Sequence, residues 1–347
     1  MAGKILSVDI GTSSLKAAFI DSDGHLIAFN REAYAPRAKG ASAWELAFAR
    51  SLEKLRAHAP ACVPDALCIS GNGPTLAPLT RDGETLPPLY WHDGRKLLPK
   101  GEGPARDTAD SPRSFFLPHA AWLKKNAPAE YEKTALFLSP HEWLSRRLGA
   151  EALAVLPSAA YEPYFWDEQQ CCLFDVDIEK FPPFVYMGSV MGKVSPEAAL
   201  FFGPASGSCL KSGTPIIAGG TDFITALIGT GTLKPGDACD RAGSSEGINV
   251  CAANPPQGNG LRVLPHAKGG LWNISKIIPA SGRLFEEYRI STGQERRPYG
   301  ELLAELIPAA NNTELFRDFD FSIARCPLSL GRSVLCTIGF AVREAAQ

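Results

Sequence analysis

Short apolar runs divided by small-residue turns set the pattern of this chain. Ile5, Leu6, Val8 and Ile10 read as a buried strand that carries Asp9 into the turn Gly11-Thr12-Ser13-Ser14. Lys16 to Ile20 returns as a second strand before the turn Asp21-Ser22-Asp23-Gly24, so the unit is a hairpin, with Lys16 facing solvent. His25 to Phe29 offers a third strand, and Trp44, Leu46, Phe48, Leu52 and Leu55 give residues 43–58 helical spacing. Ala66 to Ser70 is another strand, closed by Gly71-Asn72-Gly73-Pro74-Thr75, a turn too rich in glycine and proline to continue either element.

Further along, Leu76 to Leu79 and Leu89 to Arg95 read as strand, turn, strand. Pro118 to Asn126 and Tyr131 to Leu148 read as helices, and residues 151–177 as irregular packing. Ser195-Pro196-Glu197 caps a short helix to Phe202. Pro215 to Ala218 is a strand ending in Gly219-Gly220-Thr221-Asp222, from which Phe223 to Leu227 begins a helix. Residues 238–253 repeat the opening design as strand, Gly243-Ser244-Ser245 turn, strand. Two more strands follow at 263–267 and 272–278, then helices at 282–288 and 333–346. The 347 residues suffice for two domains, and the repeated hairpin places them at 1–236 and 237–347.

Composition narrows the function classes. A net charge of -2 gives no basic footprint for nucleic acid, and no apolar run approaches the roughly 20 residues of a membrane span. The N-terminus enters a strand without a signal-peptide pattern, so the expected compartment is the cytoplasm. None of the 9 cysteines forms a pair with metal or redox spacing, so no metal is expected on sulfur.

Two carboxylates at strand ends are the candidate chemistry. A turn of glycine and hydroxyl residues holds phosphate oxygens with N–H and O–H donors, and Asp9 lies close enough to help hold a phosphate-bound cation. Asp9 also reads as a turn cap and Asp222 as a helix N-cap, and a carboxylate can serve both ways. Trp91 reads equally as core or as a ligand contact.

Four stretches taken together are specific: VDIGTSSLKAAFID, ISGNGPTLAPLTRDGETLPPLYWHDGR, TALFLSPHEWLSRRLGA and TPIIAGGTDFITALIGTGTLKPGDA. In order and spacing the chain resembles the FGGY carbohydrate kinases over most of residues 4–250. The resemblance implies an α/β, ribonuclease-H-like (actin-like ATPase) two-domain fold in which ATP and sugar meet in a central cleft. The N-terminal domain would hold the sugar and the C-terminal one the nucleotide. It implies Asp9 near Mg2+ and the γ-phosphate, and Gly11, Thr12, Ser13, Gly243, Ser244 and Ser245 on the phosphate side. Asp222 would be the general base, with Asn72, Gly73, Trp91, Asp93 and Phe223 on the sugar side.

Three departures from the family pattern carry expectations of their own. Asn72-Gly73-Pro74 stands where polar side chains usually contact the sugar, and Phe223 stands where an amide usually follows the base. Both make the pocket less polar. The family's glycine-rich adenosine segment has no counterpart before Gln347, so the second domain reads as incomplete and its open sheet edges as a surface for a second copy. Two readings stand at this point: an ATP-dependent kinase of a sugar, polyol or sugar acid, and a kinase-like protein that binds a small ligand or partner without turnover.

Overall fold

The computed structural model describes residues 3–35, 38, 40–99, 114–203, 209–242, 246–255, 261–278, 281–298, 300–302 and 304–305. The chain divides into two compact units, Met1–Thr225 and Ala226–Gln347, ahead of the Gly236 boundary read from the sequence. In the first, strands β1 (Lys4–Ile10), β2 (Ser14–Asp21) and β3 (Leu26–Ala33) form an antiparallel meander, followed by helix α1 (Ala41–His58) and strand β4 (Ala66–Gly71). Next come β5 (Ala77–Thr80), α2 (Leu117–Asn126), α3 (Pro128–Lys133), β6 (Thr134–Leu138), α4 (Pro140–Arg147), β7 (Ala154–Leu156) and α5 (Glu168–Leu173). Strands β8 (Phe184–Tyr186) and β9 (Val190–Lys193), helix α6 (Pro196–Phe202) and strand β10 (Pro215–Thr221) lead directly into α7 (Asp222–Gly229), which straddles the division.

The main sheet has the order β3-β2-β1-β4-β10-β9, with β4 parallel to both β1 and β10. Alternation along β1 and β2 sends Leu6, Val8, Ile10, Leu15, Ala17 and Phe19 into the core. On α1, Trp44, Phe48, Leu52 and Leu55 recur at helical spacing and join the same core, each contributing about 1.5–3 kcal/mol by leaving water. The opposite side chains, Ser7, Asp9 and Ser70, are only half-buried. This side of the sheet carries the polar chemistry.

Two sequence expectations change here. Residues 131–148 are not one helix: Thr134–Leu138 is strand β6, paired with β5, and the helix restarts at Pro140. Proline at the first helical position starts a helix but does not continue one, which explains the break. Leu89 to Arg95 forms no return strand; Leu89 makes a single bridge to Leu76 and the chain then turns.

The second unit contains an antiparallel sheet of order β11-β12-β14-β13, built from β11 (Ala238–Ala242), β12 (Glu246–Ala252), β13 (Arg262–Pro265) and β14 (Trp272–Ile278), and helix α8 (Ser281–Ser291). Its first hairpin is the expected repeat. The expected turn Gly243-Ser244-Ser245 and the helix 333–346 lie outside the described residues. Among the described residues no helix is long and apolar enough to cross a membrane, and the described cysteines are free thiols.

Candidate active site

Parallel pairing brings three strand ends to one edge of the sheet. Asp9 is level with Ser70 on β4, and Thr221 at the end of β10 is level with Gly71, which places Asp222 one residue beyond the edge. Two strand spacings, about 10 Å, separate β1 from β10. Carboxyl ends of parallel strands are where open α/β sheets bind ligands, because loops diverge there and leave space.

The turn after β1 is braced on all sides. Gly11 N donates to Ser14 O at 3.0 Å, Tyr34 N donates to Ser13 O at 3.1 Å, and the Tyr34 hydroxyl donates to Gly11 O at 3.2 Å. Burial raises the Tyr34 phenol well above its ordinary value, so it remains a donor. A Cβ on Gly11 would lie 2.9 Å from Ser14 O, so the turn closes only around glycine. Thr12 and Ser13 are exposed at its tip.

Lys16 is partly exposed on its strand and is also paired. Its Nζ donates to Asp9 Oδ2 at 2.9 Å, because the antiparallel register sets the two residues opposite each other. The Ser70 hydroxyl lies 3.4 Å from Asp9 Oδ1. The pair is partly exposed, with side chains 43% and 30% accessible, so its worth to stability is small and its availability to a ligand is large.

Asn72, expected on the sugar side, braces the turn after β4. It is 0% exposed, its backbone and side-chain N–H groups both donate to Ile10 O, and its Oδ1 accepts from Thr75 at 2.6 Å. Thr75 in turn accepts from Trp91 N at 3.2 Å. Trp91 Nε1 reaches Thr12 Oγ1 at 3.4 Å, so this indole leans on the opening turn. Asp93 is held by Arg95, whose Nε lies 2.7 Å from Oδ2 and whose Nη2 also contacts it. That guanidinium keeps the Asp93 carboxyl below its usual range. The Asp93 carboxylate is thus spent largely on Arg95.

The third strand end is shaped by glycine. Register slips between Ala218 and Gly220, and Gly220 takes φ +93, a bulge that turns the chain before Thr221 and Asp222. Gly73 packs so closely on Thr221 that a Cβ there would lie 2.8 Å from its Cγ2. Beyond it, Pro74, Thr221 and Phe223 line an apolar pocket together with aromatic rings from residues 115–116 and 161–165. The sequence showed the rings of residues 151–177 only as irregular packing and did not single out Phe115 or Phe116.

Helix α4 supports this edge from below. Glu142 Oε2 accepts from Ser139 N at 2.7 Å and Oε1 from Val155 N at 2.9 Å, while His141 packs against Gly71 with no hydrogen-bond partner on either ring nitrogen. Burial lowers His141 to about 3 and raises Glu142 to about 7. The neutral histidine stabilises the fold above pH 6.5, and that contribution is lost as pH falls from 6.5 toward 3. The protonated Glu142 stabilises it below pH 4.5, and that contribution is lost as pH rises from 4.5 through 7. Between 4.5 and 6.5 the two slopes oppose each other. Relative to the unmodified chain, His141→Leu should therefore lose stability with rising pH in that window. Glu142→Gln should tilt the other way. Urea melts at pH 4.5, 5.5 and 6.5 read both slopes, and parallel curves for all three proteins would refute the assignment.

Comparisons with known proteins point to one family. The N-terminal domain of the FGGY family of carbohydrate kinases matches residues 113–229. A xylulose kinase from Klebsiella pneumoniae is 22% identical over 302 residues, 79% of this chain and 60% of that protein. An autoinducer-2 kinase from Klebsiella pneumoniae subsp. pneumoniae is 26% identical over 196 residues, 54% of this chain and 36% of that protein. The chain thus spans less than two thirds of the length of these relatives. Among solved structures, xylulose kinase from Rhodospirillum rubrum superposes with TM-score 0.72 at 18% identity, covering 98% of this chain and 78% of that one. Plasmodium falciparum glycerol kinase with ADP gives 0.74 at 15% identity, covering 99% and 78%. These likenesses establish the two-domain, actin-like ATPase fold.

Proposed function

Because residues 113–229 match the N-terminal domain of the FGGY family of carbohydrate kinases, we propose that this chain belongs to that family and transfers a phosphoryl group from ATP to a hydroxyl of a sugar, polyol or sugar acid, with Asp222 as the general base. The observation that carries the reading is the register that sets Asp9 and Asp222 at the ends of β1 and β10 on either side of β4.

The residues present fit a magnesium-bound nucleotide. Mg2+ takes oxygen donors, and Asp9 offers a half-exposed carboxylate beside the Ser70 hydroxyl. Lys16 places a cation at the same spot, and the exposed Thr12 and Ser13 add hydroxyl donors. ATP supplies the phosphoryl group, and Mg2+ neutralises charge on its oxygens. Gly243, Ser244 and Ser245 join this set by family pattern alone.

The protein's own work is positioning and proton transfer. Lys16 holds the Asp9 carboxylate in one rotamer, and Tyr34 and Trp91 fix the turn that faces the phosphate. Asp222 accepts the proton of the attacking hydroxyl as its oxygen bonds to phosphorus and ADP leaves. Incubating the chain with Mg-ATP and a panel of ketoses, aldoses, polyols and sugar acids should give acceptor-dependent ADP release. A panel with no acceptor-dependent release would leave the non-turnover reading standing instead.

A further inference from the structure

We infer that Thr75, a buried residue set back from the opening turn, is a positioning residue for the phosphate side: its hydroxyl ties together two arms that hold residues 11–14 in place. The inference rests on the reading of that turn as the part that meets the nucleotide, and it names what keeps the turn in shape.

The arms reach the turn at two different points. The Ile10 carbonyl, at the end of β1, accepts from Asn72 N at 2.8 Å and from Asn72 Nδ2 at 2.9 Å. Thr12, at the exposed tip, accepts from Trp91 Nε1 at 3.4 Å. Thr75 meets both arms. Its hydroxyl donates to Asn72 Oδ1 at 2.6 Å and accepts from Trp91 N at 3.2 Å. The bonds close a ring that runs Ile10, Asn72, Thr75, Trp91 and Thr12, then back along the chain through Gly11.

The hub is itself fixed. Thr75 and Asn72 are both 0% exposed, so water cannot replace either partner. Leu76, the next residue, exchanges backbone bonds with Leu89 at 2.9 and 2.8 Å, which sets the approach of Trp91 two residues later. Gly73, in the same turn, packs on Thr221 at the end of β10. The turn after β4 is anchored on both flanks, and Thr75 passes that rigidity to the opening turn.

This role needs a hydroxyl and not merely a side chain of the right outline. Valine has nearly the shape of threonine, yet with valine Asn72 Oδ1 and Trp91 N would lose their partner inside the fold. The Asn72 side chain would then be free to turn away from Ile10. Serine keeps both bonds and gives up only a methyl group. Tyr34 still holds Gly11 O and Ser13 O from another side, so Thr75→Val should loosen the turn without unfolding the chain.

Amide hydrogen exchange of the peptide spanning residues 9–15, followed on the full chain without nucleotide, reads the turn directly. Exchange should speed up about tenfold in Thr75→Val and stay within about twofold of the original in Thr75→Ser. Trp91→Phe, at a half-buried position, cuts only the arm to Thr12 and should speed it up about threefold, which keeps the ring testable if the valine variant fails to fold. Thr134→Val is the control for losing a buried hydroxyl: Thr134 is 1% exposed, lies on the separate β5-β6 sheet, and donates to Glu130 O at 2.7 Å. It should leave the peptide unchanged. Calorimetry with Mg-ATP should then show binding about tenfold weaker in Thr75→Val and unaltered in Thr75→Ser and Thr134→Val. Unchanged exchange in Thr75→Val and Trp91→Phe, or an equal rise in Thr134→Val, would overturn the inference whether or not ATP binds. Faster exchange with undiminished Mg-ATP affinity would overturn the positioning role. Faster exchange in the ring variants, with no Mg-ATP binding by the unmodified chain, would support the ring and count against the kinase reading.

Discussion

Replacing Asp222 with asparagine should lower the rate of phosphoryl transfer by about 10²–10⁴-fold, the range general-base catalysis contributes, while leaving the melting temperature within a few degrees of the original. Asparagine keeps the size of the side chain at the first residue of α7, so the helix start should survive. What it cannot do is accept a proton. The split between rate and stability is the discriminating readout, because a residue that serves only as a cap would show neither loss. KM for the acceptor should change far less than kcat, since the carboxylate acts on the proton in flight. Retained turnover in this variant would mean that the base is another group.

A second large effect is expected from Gly219→Ala. A Cβ at this position would lie 2.2 Å from Ile69 O and 2.7 Å from Ile69 C, distances that no side-chain rotation relieves because both atoms are backbone. The third neighbour, Cys68 Sγ at 3.1 Å, belongs to the same central strand. Either β10 moves off β4 or the bulge unwinds, and both break parallel pairing in the middle of the sheet. The expected cost is about 3 kcal/mol or more, at the upper end of overpacking effects. Asp222 sits three residues downstream of this bulge, so activity should fall with stability. Gly24→Ala is the control: its Cβ would meet nothing within 4 Å, although its φ of +87 adds some backbone strain. A variant at Gly219 as stable as that control would show that the close approach has been misjudged.

Much of the site's skeleton was legible in the sequence because it depends on local chemistry. The opening hairpin follows from apolar runs on either side of a glycine-hydroxyl turn, and the second strand end from Gly219-Gly220 before a helix start. Lys16 was legible in principle. A hairpin that pairs Ile10 with Leu15 necessarily pairs Asp9 with Lys16, and reading the register rather than the strand alone would have found the ion pair.

Other features depended on contacts far apart in the chain. Asn72 looked like a ligand group because it is polar and lies in a glycine-proline turn, yet its partner Ile10 is on a different strand. Strand β6 carries apolar residues that also fit helical spacing, and only its pairing with β5 decides the matter. The aromatic wall behind Phe223 comes from α2's approach and from a segment without periodicity, so no local pattern foretold it.

On this reading the edge of the sheet at β1, β4 and β10 holds a magnesium-bound nucleotide phosphate on Asp9. Calorimetric titration of ATP into the chain, with and without Mg2+, tests this most directly, using Asp9→Asn as the comparison. Binding should strengthen with Mg2+ and lose that strengthening in Asp9→Asn, whose amide keeps the shape of the side chain but not its charge. Binding of equal strength in both proteins, or no ATP binding at all in the presence of Mg2+, would contradict it.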